Sequence, residues 1–400
     1  MLWEANMKKL ISSILVIVFI ASFGIVSFGE KEEKTEADLV LVDNGADFEL
    51  DFDLTAAYLC EASTGKVLYS KDEFKAASIA SVTKVMTLLL VCEALDSGRF
   101  SLSDQVRVSA NAASMGGSQV FLEEGERITV EDLIKSAVIA SGNDASVALA
   151  ELCAGSEAAF VKAMNRRAAE LGLKNSQFEN TTGLDDTTTN HYSCAADIAT
   201  ISRELIKHSI ILEYSSIWQD SIRNGEFTLT NTNRLVRYYD GCNGLKTGST
   251  DKAGYCVSAT AKRGNMQLIA VILGARTRDE RNAAARELLD FGFANFALYE
   301  KSEEYIEDIK ITKGSIDNAQ LYSSPFRTVI DKAKQGSVEL EYDIPETLIA
   351  PIKAGDPVGN VIYKIDGEQI GSSKIYIKVD VEKIAFTDLF IRIIKRIVLG

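Results

Sequence analysis

Apolar and polar positions alternate with several different periods along the chain, and each change marks an element or a boundary. Lys8 and Lys9 precede a mainly apolar run from Leu10 to Phe28. At its end Ser27-Phe28-Gly29 supplies small residues at the two positions a signal peptidase reads, and the acidic stretch Glu30-Lys-Glu-Glu33 follows. This reads as a secretory signal over 1–29 with cleavage after Gly29. The alternative is an uncleaved anchor, since the run approaches the length of a spanning helix. Met7 also serves as a start without loss of the signal. Residues 38–69 predict two or more strands, among them Ala56–Leu59 and Val67–Tyr69, joined by a Ser63-Thr-Gly65 turn.

From Lys84 to about Leu171 the period becomes helical, over Val85–Leu95, Val130–Ala140, Ala145–Leu152 and Glu157–Leu171. The loop Asn111–Gly125 interrupts it, and the polar stretch Asn175–Tyr192 leads to a helix over Ala195–His208. Strand-like runs return at Gly254–Ala261 and Gln267–Leu273, before a helix over Arg278–Phe296. Strand, helices, strands and helix predict an α+β domain spanning 36–298.

Beyond Glu300 the runs Ile306–Ile311, Ser337–Glu341, Val358–Lys364 and Ser373–Val379 alternate with turns. All four prolines, Pro325, Pro345, Pro351 and Pro357, lie in this part. A small all-β domain over 300–381 follows, with no convergent acid, base or nucleophile and so a spacing or interaction role. In 383–400, Asp388, Arg392, Lys395 and Arg396 share one helical face, and apolar residues cover the rest. Three cations in the second half disfavour spanning, so this helix is expected to lie in a membrane interface, with docking onto the β domain as the alternative.

The mature chain of about 370 residues suffices for two domains and a sizeable core. Removing residues 1–29, with Lys8, Lys9 and Glu4, takes the net charge from −14 to −15. So acidic a chain has no global electrostatic reason to bind nucleic acid. The six cysteines show no short-spaced framework; Cys92, Cys153 and Cys256 sit in apolar contexts and read as buried hydrophobes without disulfides. His191 and His208 are the two histidines, and there is neither a His-x-x-x-His nor a Cys-x-x-Cys pair. No metal site and no cofactor is expected.

Chemistry is expected around Ser81. It stands just ahead of the apolar run Val85–Leu90, a suitable place to start a helix, with Lys84 three residues on and facing the same way. Serine needs a neighbouring base, and lysine serves only if burial and nearby charge lower its pKa. The Ser-x-x-Lys tetrad is weak alone: it also occurs at Ser63–Lys66, which reads as a turn, and at Ser249–Lys252. Two further segments carry suitable groups. Ser141-Gly-Asn143 supplies a hydroxyl and a carboxamide, although a helix C-cap followed by an N-cap explains it equally. Lys246-Thr-Gly248 begins a strand-like stretch through Gly254-Tyr-Cys-Val-Ser258 and could bind a carboxylate, or be an ordinary turn.

The three together, in this order and widely spaced, are specific. With phrases such as Ala80-Ser-Val-Thr-Lys-Val-Met-Thr87, Ala140-Ser-Gly-Asn-Asp-Ala145, Asn180-Thr-Thr-Gly-Leu184, Asn231-Thr-Asn-Arg-Leu235 and Gly244-Leu-Lys-Thr-Gly-Ser-Thr-Asp-Lys-Ala-Gly-Tyr255, the chain resembles the low-molecular-mass penicillin-binding proteins, the serine-type D-alanyl-D-alanine carboxypeptidases. The resemblance covers nearly the whole mature chain. It implies a β-lactamase/transpeptidase-like catalytic domain, a helical cluster on an antiparallel sheet, then the small β domain and an amphipathic anchor. It also implies Ser81 as acylated nucleophile, Lys84 as its proton acceptor, Ser141 in a proton relay and Asn143 holding a peptide amide. Lys246 and Thr247, with Gly248 beside them, would take the terminal carboxylate, which Arg276 could also face. The N–H groups of Ser81 and Ser249 would form the oxyanion hole. Peptidoglycan stem peptides are the implied substrate and β-lactams the implied inhibitors, at the outer face of the cytoplasmic membrane.

Three rivals fit less well. A class A β-lactamase would carry Glu-x-x-x-Asn after the second motif, which Glu170-Leu-Gly-Leu-Lys-Asn175 does not match. A Ser-His-Asp hydrolase lacks its Gly-x-Ser-x-Gly. A non-catalytic wall-binding protein has no need of Ser81, Lys84, Ser141, Asn143 and Lys246 together.

Overall fold

The computed structural model describes residues 48–185 and 188–399, so the run Leu10–Phe28 and the expected cleavage site lie outside the described residues. The first part of the chain is built on a five-stranded antiparallel sheet in the order β2-β1-β9-β8-β7. Its strands are β1 (Ala56–Glu61), β2 (Val67–Lys71), β7 (Cys242–Thr250), β8 (Gly254–Arg263) and β9 (Met266–Ala275); two short hairpins, β3 (Gln105–Arg107) with β4 (Arg127–Thr129) and β5 (Gln219–Ile222) with β6 (Phe227–Thr230), lie outside it. Successive side chains of β9 enter different cores. Ile269, Val271 and Leu273 pack with the helical cluster, whereas Leu268, Ala270 and Ile272 pack under the helix Arg278–Asn295. A sheet covered on both faces needs apolar residues at every position, which is why β9 reads as a continuous run without alternation.

The helical cluster comprises Lys84–Asp96, Val130–Val138, Asn143–Ala154, Glu157–Glu170 and Ala195–Leu205. The helix Lys84–Asp96 is buried on almost every side, through Val85, Met86, Leu88, Leu89, Val91 and Cys92. A helix apolar all round belongs in the middle of a domain. Side chains cap several neighbours: Thr129 accepts from Asp132 N–H, Ser156 from Ala159 N–H and Thr277 from Glu280 N–H.

Three elements differ from the sequence reading. The helix expected to reach Ala140 ends at Val138, because the chain turns away at Ser141 with φ +63°. The helix expected to reach His208 stops at Leu205, and a separate helix Ser209–Ser215 carries the apolar residues that follow. Lys246-Thr-Gly248 does not open the strand Gly254–Arg263; it lies on its own strand β7, paired antiparallel with β8 so that Lys246 faces Ser258 and Thr247 faces Val257.

After the helix Arg278–Asn295 the chain is β-rich. Strand β10 (Phe296–Lys301) pairs with β13 (Phe326–Asp331). A six-stranded sheet runs β14-β16-β17-β12-β11-β15, formed by β11 (Glu304–Thr312), β12 (Asn318–Ser323), β14 (Glu339–Asp343), β15 (Thr347–Ile349), β16 (Pro357–Ile365) and β17 (Glu368–Ile377). Ile309, Leu321, Tyr363, Ile375 and Ile377 form its separate core. The chain ends on the helix Phe386–Leu399, whose Phe386, Phe390, Ile391 and Ile397 are exposed. No described helix is long and apolar enough to cross a membrane.

Candidate active site

Ser81 sits in a 3-10 turn, Ala80–Thr83, that feeds the helix beginning at Lys84. It is not the helix cap: no side chain caps this start. In a 3-10 turn residues three apart eclipse one another, so the turn brings Ser81 and Lys84 together more directly than an α-helix would. Lys84 Nζ lies 2.9 Å from Ser81 Oγ. It also donates to Asn143 Oδ1 at 2.6 Å and to the Thr182 carbonyl at 3.0 Å. The amine is fully buried and no carboxylate among the described residues bonds it. Burial, then the charge of Lys246, holds its pKa well below the ordinary lysine value, and Asp144 opposes this.

Asn143 starts the helix Asn143–Ala154. Its Nδ2 donates to the Gly116 carbonyl at 2.7 Å and its backbone N–H to the Ser118 carbonyl at 2.7 Å, tying the loop over the site. Buried Asp144 pins the same loop, accepting from Val120 N–H at 3.0 Å and Leu122 N–H at 3.1 Å. Ser141 is buried two residues earlier in the turn. The Thr182 carbonyl is held by Asn180, whose Oδ1 accepts from Gly183 N–H at 2.7 Å. Gly183 has φ +79°, and a Cβ there would fall 1.8 Å from the Ala80 carbonyl oxygen, so only glycine fits against the turn. The sequence offered the Asn180–Leu184 phrase without a role; the structure makes it the floor beneath Lys84.

Strand β7 supplies the opposite wall. A Cβ on Gly248 would lie 2.7 Å from Ser81 N and 2.9 Å from Val82 N, so glycine lets the strand edge reach the serine turn. Lys246 is buried, donates to the Thr247 carbonyl at 2.8 Å, and is pushed down to about 7 by burial and then by Arg281. Thr247 Oγ1 donates to Thr232 Oγ1 at 2.8 Å. Ser249, next along β7, is exposed.

Arg276 is the residue that the structure does not bring to this group. Its exposed side chain pairs with Glu280 at 3.1 Å and approaches Asp53 at 3.9 Å. The guanidinium beside Lys246 belongs to Arg281, five residues on and buried. Arg281 bonds Asn282 Oδ1 at 2.9 Å and reaches the Cys256 carbonyl at 3.5 Å, with no carboxylate partner among the described residues. Sequence reasoning missed it because, near a helix start, one arginine looks like the next; the helical phase that turns Arg281 inward was the available signal.

Behind the turn, His191 Nδ1 accepts from Glu179 N–H at 3.1 Å, which leaves Nε2–H to donate to Thr83 Oγ1 at 2.7 Å. Burial lowers this imidazole to about 4, so it is neutral. No cluster of His, Cys, Asp or Glu among the described residues could hold a metal ion. All six cysteines are unpaired.

A buried amine at a serine hydroxyl, walled by a carboxamide and a lysine-bearing strand edge, suits acyl transfer, and comparison with known proteins identifies which kind. Residues 45–277 match the family described as D-alanyl-D-alanine carboxypeptidase. The chain belongs to that family. Residues 293–383 match the C-terminal domain described for penicillin-binding protein 5. The D-alanyl-D-alanine carboxypeptidase DacF of Bacillus subtilis is 41% identical over 95% of this chain and 96% of its own length. DacC of Escherichia coli, of the same description, is 32% identical over 84% of this chain and 86% of its own. The crystal structure of Haemophilus influenzae penicillin-binding protein 5 matches with a TM-score of 0.75 and 30% identity, covering 84% of this chain and all of that one. Listeria monocytogenes penicillin-binding protein D2, solved with ampicillin bound, matches with a TM-score of 0.57 and 31% identity over 62% of this chain. The carboxypeptidase family thus accounts for both the catalytic fold and the β-rich part that follows it, and makes the chain a serine-type cell-wall hydrolase.

Proposed function

We propose that Ser81 is the residue acylated when this carboxypeptidase removes the terminal D-alanine from peptidoglycan stem peptides. The observation that carries this reading is Lys84: a buried amine, with no carboxylate partner among the described residues, 2.9 Å from Ser81 Oγ. Desolvation favours the neutral amine, which can take the serine proton. Ser81 Oγ attacks the carbonyl between the last two D-alanines. The developing oxyanion faces the N–H groups of Ser81 and Ser249, which the absence of a side chain at Gly248 lets approach one another. D-Alanine departs with the proton, and water then cleaves the ester. Ser141, whose hydroxyl has no bonding partner among the described residues, relays the proton between Lys84 and the leaving amine, and Asn143 holds the substrate amide.

Lys246, Thr247 and Arg281 take the terminal carboxylate. Arg281 is buried without an anion, a costly state that a substrate carboxylate relieves. β-Lactams acylate Ser81 in the same way. The signal at 1–29 exports the chain, the catalytic domain spans 36–298 and the β-rich domain 300–381. The helix in 383–400 lays its apolar face in the membrane at the outer surface, presenting the site to the wall. Labelled penicillin tests the nucleophile: the wild-type chain becomes covalently labelled and Ser81→Ala does not, whereas labelling of that variant would refute the assignment.

A further inference from the structure

His191 is buried beside the serine turn and takes no direct part in the proposed acyl transfer. Its backbone is held without help from its ring. Tyr192 exchanges hydrogen bonds with Gln177 at 2.9 and 3.0 Å, and Ser193 with Ala77 at 2.8 and 3.1 Å. The ring instead joins the two segments that enclose Lys84. Nδ1 accepts from the N–H of Glu179, the residue before the Asn180–Leu184 floor, at 3.1 Å. Nε2–H donates to Thr83 Oγ1, in the serine turn, at 2.7 Å. Phe178 packs edge-on against the imidazole, with centroids 5.8 Å apart. Glu179 and Asp185 on the floor segment and Lys252 in the turn after β7 face the ring. Burial, aided by Lys252, outweighs the two carboxylates, so the ring is neutral and keeps this tautomer near neutral pH.

A 3-10 turn has poorer hydrogen-bond geometry than an α-helix and lasts where its surroundings enforce it. Gly183 and Gly248 press on Ala80–Thr83 sterically, each standing where a Cβ would strike its backbone. Residues 80–83 make two side-chain hydrogen bonds among the described residues: Ser81 with Lys84, and Thr83 with His191. The second is the one that holds the turn from outside. Thr83 Oγ1 also lies against Gly183, 2.7 Å from where a Cβ would stand, so fixing this hydroxyl fixes the contact of turn and floor. The floor in turn supplies the Thr182 carbonyl that Lys84 bonds at 3.0 Å. Thr83, the imidazole, Glu179, Thr182 and Lys84 thus form a closed circuit around the buried amine.

We propose that His191 is a positioning residue for acylation, acting through Thr83 and the Asn180–Leu184 floor to hold Ser81 Oγ at the Lys84 amine and to keep water from that amine. The inference rests on Ser81 as nucleophile and Lys84 as its base. No atom of His191 meets the substrate, so its loss slows acylation without loosening the grip of Lys246, Thr247 and Arg281 on the carboxylate. Its loss also lets water reach Lys84, which raises the proton affinity of the amine.

The test compares the detergent-solubilised full chain with Thr83→Val, His191→Ala, the double variant of these two, and His191→Gln. Labelled penicillin gives the acylation rate across pH, and a peptide ending in D-Ala-D-Ala gives kcat and KM. Thr83→Val and His191→Ala each acylate about tenfold more slowly, the size of one lost hydrogen bond, with KM within about twofold of wild type. The double variant loses no more than either single one, because both remove the same tie. The acid limb of acylation, where Lys84 takes up its proton, moves to higher pH in all three. His191→Gln, which keeps a donor toward Thr83, recovers most of the rate. Wild-type acylation by Thr83→Val, losses that multiply in the double variant, or a slower rate with an unmoved acid limb would each overturn the role of His191 and leave the nucleophile in place. Should His191→Ala fail to fold, the rate and acid limb of Thr83→Val decide alone. A wild type that penicillin does not label would instead remove the reading beneath it.

Discussion

Asn143 Oδ1 lies 2.6 Å from Lys84 Nζ, so the carboxamide of the second motif is bonded to the amine of the first. Its Nδ2 is committed to the Gly116 carbonyl at 2.7 Å. Asn143 therefore holds the Lys84 amine as well as the loop above it. Asn143→Ala removes an acceptor from a buried amine and lets that loop loosen, costs of about 1–3 kcal/mol for each group left unpaired. The expected outcome is a fall in kcat of about 10- to 100-fold, with penicillin acylation slowed in parallel in stopped-flow labelling. Acylation at the wild-type rate would show that Lys84 is oriented without it.

Gly248 separates steric from chemical effects. Its missing side chain lies where a Cβ would meet Ser81 N at 2.7 Å. Gly248→Ala is expected to slow acylation at least about 100-fold, since crowding here displaces the proposed oxyanion donor, at a stability cost of about 1–3 kcal/mol. Calorimetry alongside penicillin labelling checks both; a large loss of Tm with normal labelling would contradict this.

Arg281 and Arg276 make a paired comparison. Arg281→Gln removes the buried cation beside Lys246 and is expected to raise KM for a D-Ala-D-Ala peptide about 10- to 100-fold, the range of a charge-assisted hydrogen bond. Arg276→Gln, at the surface with Glu280, is expected to change kcat/KM less than about twofold. Steady-state kinetics on the two variants decides which guanidinium serves the site.

Titration of Lys246 links pH to both stability and rate. Its folded value of about 7 lies below the ordinary lysine value, so between pH 7 and 10 the unfolded chain holds a proton that the folded chain lacks. Stability from this group therefore rises with pH across that window and is lowest at pH 7 and below. The difference in unfolding free energy between Lys246→Gln and wild type should shift by on the order of 3 kcal/mol toward the wild type from pH 7 to pH 10, measured by denaturant melts. A bound carboxylate pulls the lysine back up, so the alkaline limb of kcat should lie at higher pH than that of kcat/KM. Coincident limbs would mean that Lys246 does not meet the substrate charge.

What could be read beforehand and what could not divide along physical lines. The helix Glu157–Glu170 was visible because local period and its Ser156 cap define it, and Lys84–Asp96 because a long unbroken apolar run does. The spacing of Ser81 and Lys84 was visible because it is three residues in any helical turn. The 3-10 geometry was not, since it depends on Gly183 and Gly248 pressing on Ala80–Thr83 from distant segments. The pairing of β1 with β9, Tyr58 opposite Val271, joins residues more than two hundred positions apart, and no local pattern encodes it. The low proton affinity of Lys84 arises from burial and then from the charge of Lys246, which come together only once distant segments meet. Arg281 stayed hidden for the same reason: burial, not identity, distinguishes it from Arg276 and Arg278.

The central claim is that Ser81, with Lys84 as its base, hydrolyses the D-Ala-D-Ala bond. D-Alanine release from a soluble peptide ending in D-Ala-D-Ala, measured for wild type and Ser81→Ala side by side, tests it most directly. The wild type is expected to release D-alanine and the variant none above background. Equal release by both, or no release by a wild type that still binds penicillin covalently, would contradict it.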